Sequence, residues 1–224
     1  MRTLAVGDIH GCFSALSTLA RAVRFTPDDL VILLGDYIDR GPDSNRVLDW
    51  VLEQSAVLNL IPLRGNHEAM ILEARHDDLK YNLWSSYGGY ETLISYEADT
   101  RKDWPSAIPV THWDFLRHTR KWFQTAGHIF VHAMVESGLE MADQPDYIML
   151  WEDCAGMRPH RSGKKVICGH SPQKSGKPER YDFGCCIDTG VHKGGWLTCL
   201  NVESGEYWQA NEDRDTRAGI LEVL

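Results

Sequence analysis

The sequence predicts an α/β fold, α+β in its strand-rich second half, and three observations carry that prediction. A short apolar run passes through glycine into polar, ligand-type side chains three times in the first 70 residues. The segments between those runs carry apolar residues at helical spacing. From residue 129 onward, β-branched and aromatic runs bounded by turn residues dominate.

The central run, residues 31–34 (V-I-L-L), is apolar throughout, as buried parallel strands are, and ends at Gly35. Asp36, Asp39 and Arg40 follow at once in G-D-Y-I-D-R-G. Carboxylates at the mouth of an apolar strand are costly to bury unless each has a partner, and a metal ion supplies one. The first run, residues 4–6, leads into G-D-I-H-G with Asp8 and His10. The third, residues 57–63, leads through Arg64 into G-N-H-E with Asn66, His67 and Glu68. Asp8, Asp36 and Asn66 are separated by 28 and 30 residues, a spacing that suits strand–helix–strand units. Sites in open α/β sheets gather at the carboxyl ends of the strands, where all three clusters fall. A single such cluster would read as a polar turn; three together do not.

Between these runs, Phe13, Leu16, Leu19, Ala20 and Val23 mark one helix, and Val47, Leu48, Val51 and Leu52 a second beginning near Pro42. A third helix is expected over residues 69–74. Residues 75–125, with four tryptophans and several glycines and prolines, read as short helices forming a cap, their aromatics serving packing. Further strands are expected at 129–131, 165–168, 185–187, 196–202 and 207–210. Two of them end in histidine, His132 in F-V-H-A and His170 in G-H-S-P. Residues 211–224 begin with a charged run and read as a surface tail. No repeat or long linker interrupts the chain, so 1–224 is expected to be one domain.

Composition narrows the function. The 224 residues carry a net charge of −9, which argues against a nucleic-acid binder with its basic stripe. No apolar run approaches the roughly 20 residues of a membrane span, and the first strand begins too early to leave room for a signal peptide. Six cysteines without a C-x-x-C pair, several in apolar runs, read as buried thiols in a reducing cytoplasm.

Asp8, His10, Asp36, Asn66, His132 and His170 are thus the strand-end ligand candidates. Mixed carboxylate and imidazole donors suit Mn, Fe or Zn better than Ca or Mg. Six exceed what one tetrahedral ion needs. With Asp36 as a shared bridge they serve two ions about 3.5–4 Å apart, the arrangement used for in-line displacement at phosphorus. Asp8 and His10 would complete one ion, and Asn66, His132 and His170 the other.

In order and spacing, G-D-I-H-G, G-D-Y-I-D-R-G and G-N-H-E resemble the signature blocks of the phosphoprotein phosphatases within the calcineurin-like metallophosphoesterases. The bacterial and phage serine/threonine branch is the nearest likeness. F-V-H-A and G-H-S-P resemble its fourth and fifth blocks. The resemblance implies a β-sandwich flanked by helices, a dinuclear centre at strand ends, and metal ligation at the same six positions. The implied reaction is phosphomonoester hydrolysis by a hydroxide held between two divalent ions, manganese first, with iron or zinc as alternatives. Arg40 and Arg64, beside the ligands, are placed to hold phosphate oxygens. His67 is the candidate general acid, with Asp39 holding its other ring nitrogen; the resemblance implies the same His–Asp pair. The substrate is expected to be a phosphorylated protein or small phosphoester, with neither nucleic acid nor membrane as partner.

Three positions depart from the family pattern: Met134 where glycine is usual, Trp151-Glu152-Asp153 where W-x-R supplies an arginine, and Tyr87-Gly88-Gly89 for N-G-G. None is a proposed ligand, so they bear on substrate more than on chemistry; Arg158 or Arg161 could supply the arginine. Two other readings remain. A symmetrical dinucleoside polyphosphate hydrolase shares the scaffold, though such relatives tend to carry Asp where Glu68 stands. A non-catalytic scaffold would have lost the metals. Of the remaining histidines, His192 is expected to border the cleft.

Overall fold

The computed structural model describes residues 1–98 and 103–221. Eight α-helices and eleven strands are described. In chain order the first are β1 (Thr3–Val6), α1 (Phe13–Val23), β2 (Leu30–Leu33), α2 (Ser44–Ser55), β3 (Asn59–Pro62) and α3 (Asn66–Ala74). Next come α4 (Asp78–Trp84), α5 (Tyr90–Ser95), α6 (Trp104–Ala107), α7 (Val110–His118), β4 (Trp122–Gln124), β5 (His128–Val131) and α8 (Asp146–Trp151). The chain then turns to strands: β6 (Lys165–Cys168), β7 (Glu179–Tyr181), β8 (Gly184–Cys186), β9 (Leu197–Asn201), β10 (Glu206–Ala210) and β11 (Thr216–Ile220).

The strands form two mixed sheets, ordered β11-β10-β9-β1-β2-β3 and β4-β5-β6-β8-β7. β1, β2 and β3 run parallel in the first, and β5, β6 and β8 run parallel in the second. Side chains alternate across each strand, so one sequence feeds two cores. Ala5, Ile32, Leu34, Phe130, Ile167 and Cys185 meet between the sheets. Their neighbours Leu4, Val6, Val31 and Leu33 face outward against Leu16 and Leu19 of α1 and Val47 and Leu48 of α2. On the other side Ile129, Val131, Val166, Cys168 and Cys186 pack with Met149 and Met157. Burial on both faces explains why these strands read as unbroken apolar runs.

Several boundaries differ from expectation, each for a visible reason. α3 starts at Asn66 rather than 69, because the Glu68 side chain reaches back to accept from the Gly65 backbone N–H at 2.8 Å and so begins the helix at the ligand itself. The described part of residues 75–125 carries α4 to α7 and ends in β4, a short edge strand antiparallel to β5; residues 99–102 lie outside the described residues. Residues 211–221 are not a tail. Glu212 accepts a hydrogen bond from the Ala15 backbone at 2.9 Å, and β11 pairs along β10 as the edge of the first sheet; 222–224 lie outside the described residues. Trp84, Trp104 and Trp113 are buried and packed one against the next with tilted rings, centroids 5.0 and 5.7 Å apart. All six cysteines are free and buried. Among the described residues no helix is long and apolar enough to cross a membrane.

A clamp ties the N-terminus to the turn before β2. Arg2 donates to both oxygens of the buried Asp29 at 2.9 and 2.6 Å, and the Thr26 backbone donates at 2.8 Å. The Arg2 hydrogen bond holds the Asp29 carboxyl well below the usual carboxylate range. A depressed carboxyl pKa stabilises the fold above the unfolded value, about 3.9, and that contribution is lost as pH falls below it. Asp29→Asn is therefore expected to cost about 1–2 kcal/mol at pH 7. In urea melts across pH, the gap from the unmodified protein should close below pH ~4.

Candidate dinuclear metal centre

The six parallel strands converge at their carboxyl ends, and each delivers a polar group there. After β1 come Asp8 and His10; after β2, Asp36, Asp39 and Arg40; after β3, Asn66 and His67. The second sheet adds His132 after β5, His170 after β6 and Asp188 just beyond β8. These turns are tight: His10, Asp36, Asp39, Arg40 and His170 all take positive φ, between 48° and 72°. Non-glycine residues held there cost of order 1–3 kcal/mol each and cluster at functional sites.

Asp36 sits at the middle with its two oxygens turned to different partners. Oδ2 lies 3.4 Å from His10 Nε2 and 3.9 Å from His67 Nε2, while Oδ1 lies 3.6 Å from His132 Nε2. Two His/Asp groups result, His10–Asp36–His67 and Asp36–His132–His170, with the ligand atoms of each within 4.8 Å of one another. Asn66 Oδ1 joins the second, 2.9 Å from His132 Nε2 and 3.2 Å from His170 Nδ1. Asp8 is held beneath the His170 turn, both of its oxygens accepting from the His170 backbone at 3.2 and 3.0 Å.

The donor set fits cations. His10 Nδ1 is 3.0 Å from the Ile38 carbonyl and His132 Nδ1 is 2.9 Å from that of Leu34, so each donates there and presents an Nε2 lone pair inward. Burial pushes His132 down to about 4 and lowers His10 and His170 as well, keeping the rings neutral. His132 Nε2 and Asn66 Oδ1 thus meet as two acceptors, a contact that a cation between them would resolve.

His67 behaves differently. Its Nδ1 lies 2.6 Å from Asp39 Oδ2, and the buried Nε2 has no hydrogen-bond partner among the described residues. Burial opposes charge on the ring, but Asp36 and the Asp39 hydrogen bond outweigh it and raise the pKa above the usual imidazole value. A protonated ring is a poor ligand and a good acid. Asp39 is itself fixed by Trp84 Nε1 at 2.8 Å and Thr92 Oγ1 at 2.6 Å. The two glycines that follow Tyr87 serve this lock: a Cβ on Gly88 would meet Arg40 Cγ at 2.6 Å, and one on Gly89 the Trp84 ring at 2.4 Å. The Gly88 carbonyl accepts from the Arg40 backbone at 3.0 Å.

The two arginines part company. Arg40 Nη1 lies 2.8 Å from His10 Nε2 and 3.4 Å from His192 Nε2, inside the cluster. The Arg64 side chain turns to the end of α7, Nε donating to Thr119 Oγ1 at 3.0 Å and Nη2 to the Arg117 carbonyl at 2.7 Å. Helix-end carbonyls without an intrahelical partner attract a guanidinium, and closeness in sequence to Asn66 gave no sign of it. His192 does border the cleft, its ring edge-on to His10 with centroids 4.5 Å apart. Asp153 caps its own turn by accepting from the Ala155 backbone at 2.7 Å, and Arg161 pairs with Glu140 at 3.2 Å.

Sequence reasoning missed Glu68. It is fully buried, and its carboxylate accepts from the backbones of Gly65, Asp36 and Tyr37, each at 2.8 Å. The available signal was its place in the first turn of α3, three residues after Gly65, where an acidic side chain can reach back to an unpaired N–H. For Trp84 and Thr92 no local signal exists.

Two mixed sheets flanked by helices, with neutral imidazoles and carboxylates gathered where the parallel strands end, define a metal-dependent hydrolase. The chain belongs to the calcineurin-like phosphoesterases, whose family model matches residues 1–193. It is 47% identical over 207 residues to serine/threonine-protein phosphatase 1 of Salmonella typhimurium, covering 88% of this chain and 90% of that one. A symmetrical bis(5'-nucleosyl)-tetraphosphatase of Methylobacillus flagellatus is 27% identical over 177 residues, covering 75% of this chain and 57% of its own length. Among solved structures, a cold-active protein-tyrosine phosphatase of a psychrophilic Shewanella superposes with a TM-score of 0.65 at 15% identity, covering 97% of this chain and 80% of the other. That likeness is one of fold.

Proposed function

We propose that the protein is a serine/threonine protein phosphatase, hydrolysing phosphomonoesters at a dinuclear centre held by Asp8, His10, Asp36, Asn66, His132 and His170. The observation that carries this reading is Asp36, whose two oxygens face two separate imidazole groups. When bound, two divalent ions, manganese first among them, would supply charge against the phosphate and an acidified water. The protein's own side chains do the rest. Arg40 offers a planar fork of donors to the phosphate oxygens. His67 presents Nε2–H to the ester oxygen and gives up that proton as the phosphorus–oxygen bond breaks, so that serine or threonine leaves as an alcohol. Asp39 keeps the ring oriented and stabilises its charged form. We assign Arg64 to bracing α7 rather than to the phosphate. Six buried free thiols favour a reducing compartment such as the cytoplasm.

The identity to the Salmonella phosphatase, spread over nearly its whole length, favours phosphoserine and phosphothreonine over dinucleoside polyphosphates. With Mn2+ present, phosphoserine and phosphothreonine peptides should be hydrolysed with kcat/KM at least about tenfold above diadenosine tetraphosphate, a difference of about 1.4 kcal/mol in barrier. The reverse order would make the dinucleotide reading correct. Inactivity on p-nitrophenyl phosphate with each of Mn, Fe, Ni and Zn would sink both.

A further inference from the structure

Five of the six parallel strands end in residues already assigned to the centre; β8 ends next to Asp188, which has no role so far. Asp188 is 2% exposed. Its Oδ1 accepts from the Gly190 backbone at 3.0 Å, which pins the turn carrying His192. Its Oδ2 is buried and has no hydrogen-bond partner among the described residues. The residue is packed against the first cluster: a Cβ added to Gly7, immediately before Asp8, would lie 2.7 Å from the Ile187 carbonyl oxygen and 3.6 Å from the Asp188 nitrogen. Asp8, Asp36, Arg40 and Lys193 are the charged groups that act on it.

A turn needs one carboxylate oxygen, and a neutral asparagine would pin Gly190 equally well. The second oxygen leaves an additional carboxylate buried within electrostatic reach of Asp8, and its ionised form is unfavourable there unless positive charge is close by. We infer that Asp188 is an outer carboxylate of the metal centre: its free Oδ2 adds charge and a hydrogen-bond acceptor behind Asp8 and raises the affinity of the Asp8–His10 side for a divalent cation. It is a positioning residue, acting through Asp8 and through the ion's surroundings, and touches no reacting atom. The inference rests on the metal-binding reading above.

The test separates charge from scaffold. Asp188→Asn keeps an oxygen for Gly190 and removes the charge. Metal-free protein is titrated with Mn2+ by calorimetry, and its Tm is measured without metal. The unmodified protein should bind two ions. In Asp188→Asn at least one binding step should weaken by about 10–100-fold, the range found when outer partners of metal ligands are replaced. The metal-free Tm should hold or rise, because repulsion between Asp188 and Asp8 is relieved. Unchanged Mn2+ affinity, or a lowered metal-free Tm with affinity intact, overturns the inference and leaves a structural pin. Should the asparagine variant fail to fold, Asp188→Ser, whose hydroxyl can still accept from Gly190, carries the same comparison. If the unmodified protein binds no metal, the dinuclear reading falls first and this one with it.

Discussion

Replacing His67 by asparagine is expected to lower kcat on phosphoserine peptides by about 10²–10⁴, the usual worth of a general acid, while both metal ions remain bound. His67 is set apart from its neighbours by its partners. His10 and His132 each spend a ring nitrogen on a backbone carbonyl and stay neutral, whereas His67 spends Nδ1 on a carboxylate at 2.6 Å. That carboxylate has Trp84 Nε1 and Thr92 Oγ1 as further donors, so it cannot turn away. The outcome should depend on the leaving group. Serine leaves as a basic alkoxide and needs the proton; p-nitrophenolate does not. The loss on p-nitrophenyl phosphate should therefore be at least about tenfold smaller than on the peptide. Equal losses on the two substrates, or metal lost along with activity, would mean that His67 is a ligand or a packing residue. Its place in a His10–Asp36–His67 group makes that alternative concrete.

The parts legible in the sequence are those in which one local pattern has one physical cause. Runs such as 31–34 are apolar throughout because Ile32 faces one core and Val31 and Leu33 another. Ligand-type residues stand out at their ends because buried carboxylates and imidazoles are scarce without a function. Other parts depend on distant chain segments and leave no trace in spacing. β11 was unreadable because its burial alternates between exposed and half-buried along T-R-A-G-I; β10 decides that it is a strand. β4 and β7 are three-residue edge strands, shorter than any usable period. The lock on Asp39 joins residues 45 and 53 positions apart, through glycines that matter only because Arg40 and Trp84 press against them. Arg64 misled because its neighbours in sequence are ligands while its partners in space are carbonyls of α7.

Glu68 should prove the costliest single side chain to remove from the fold around the centre. One carboxylate accepts three buried backbone N–H groups: Gly65, which starts α3, and Asp36 and Tyr37, which make the turn after β2. It therefore joins the helix carrying Asn66 and His67 to the turn carrying Asp36, and fixes the positive φ that aims the Asp36 oxygens apart. Glu68→Ala strands all three donors and opens a cavity, and should destabilise metal-free protein by about 3–5 kcal/mol in urea melts. Glu68→Gln is the sharper comparison. Its single carbonyl oxygen can still serve two of the donors, but its NH2 group would face the third, donor against donor, so about 2–3 kcal/mol is expected. Mn2+ affinity should fall in the same order, because Asp36 loses its orientation before it loses its charge. A glutamine variant as stable as the unmodified protein would show that the backbone donors do not depend on a second carboxylate oxygen, and that other contacts hold the turn after β2.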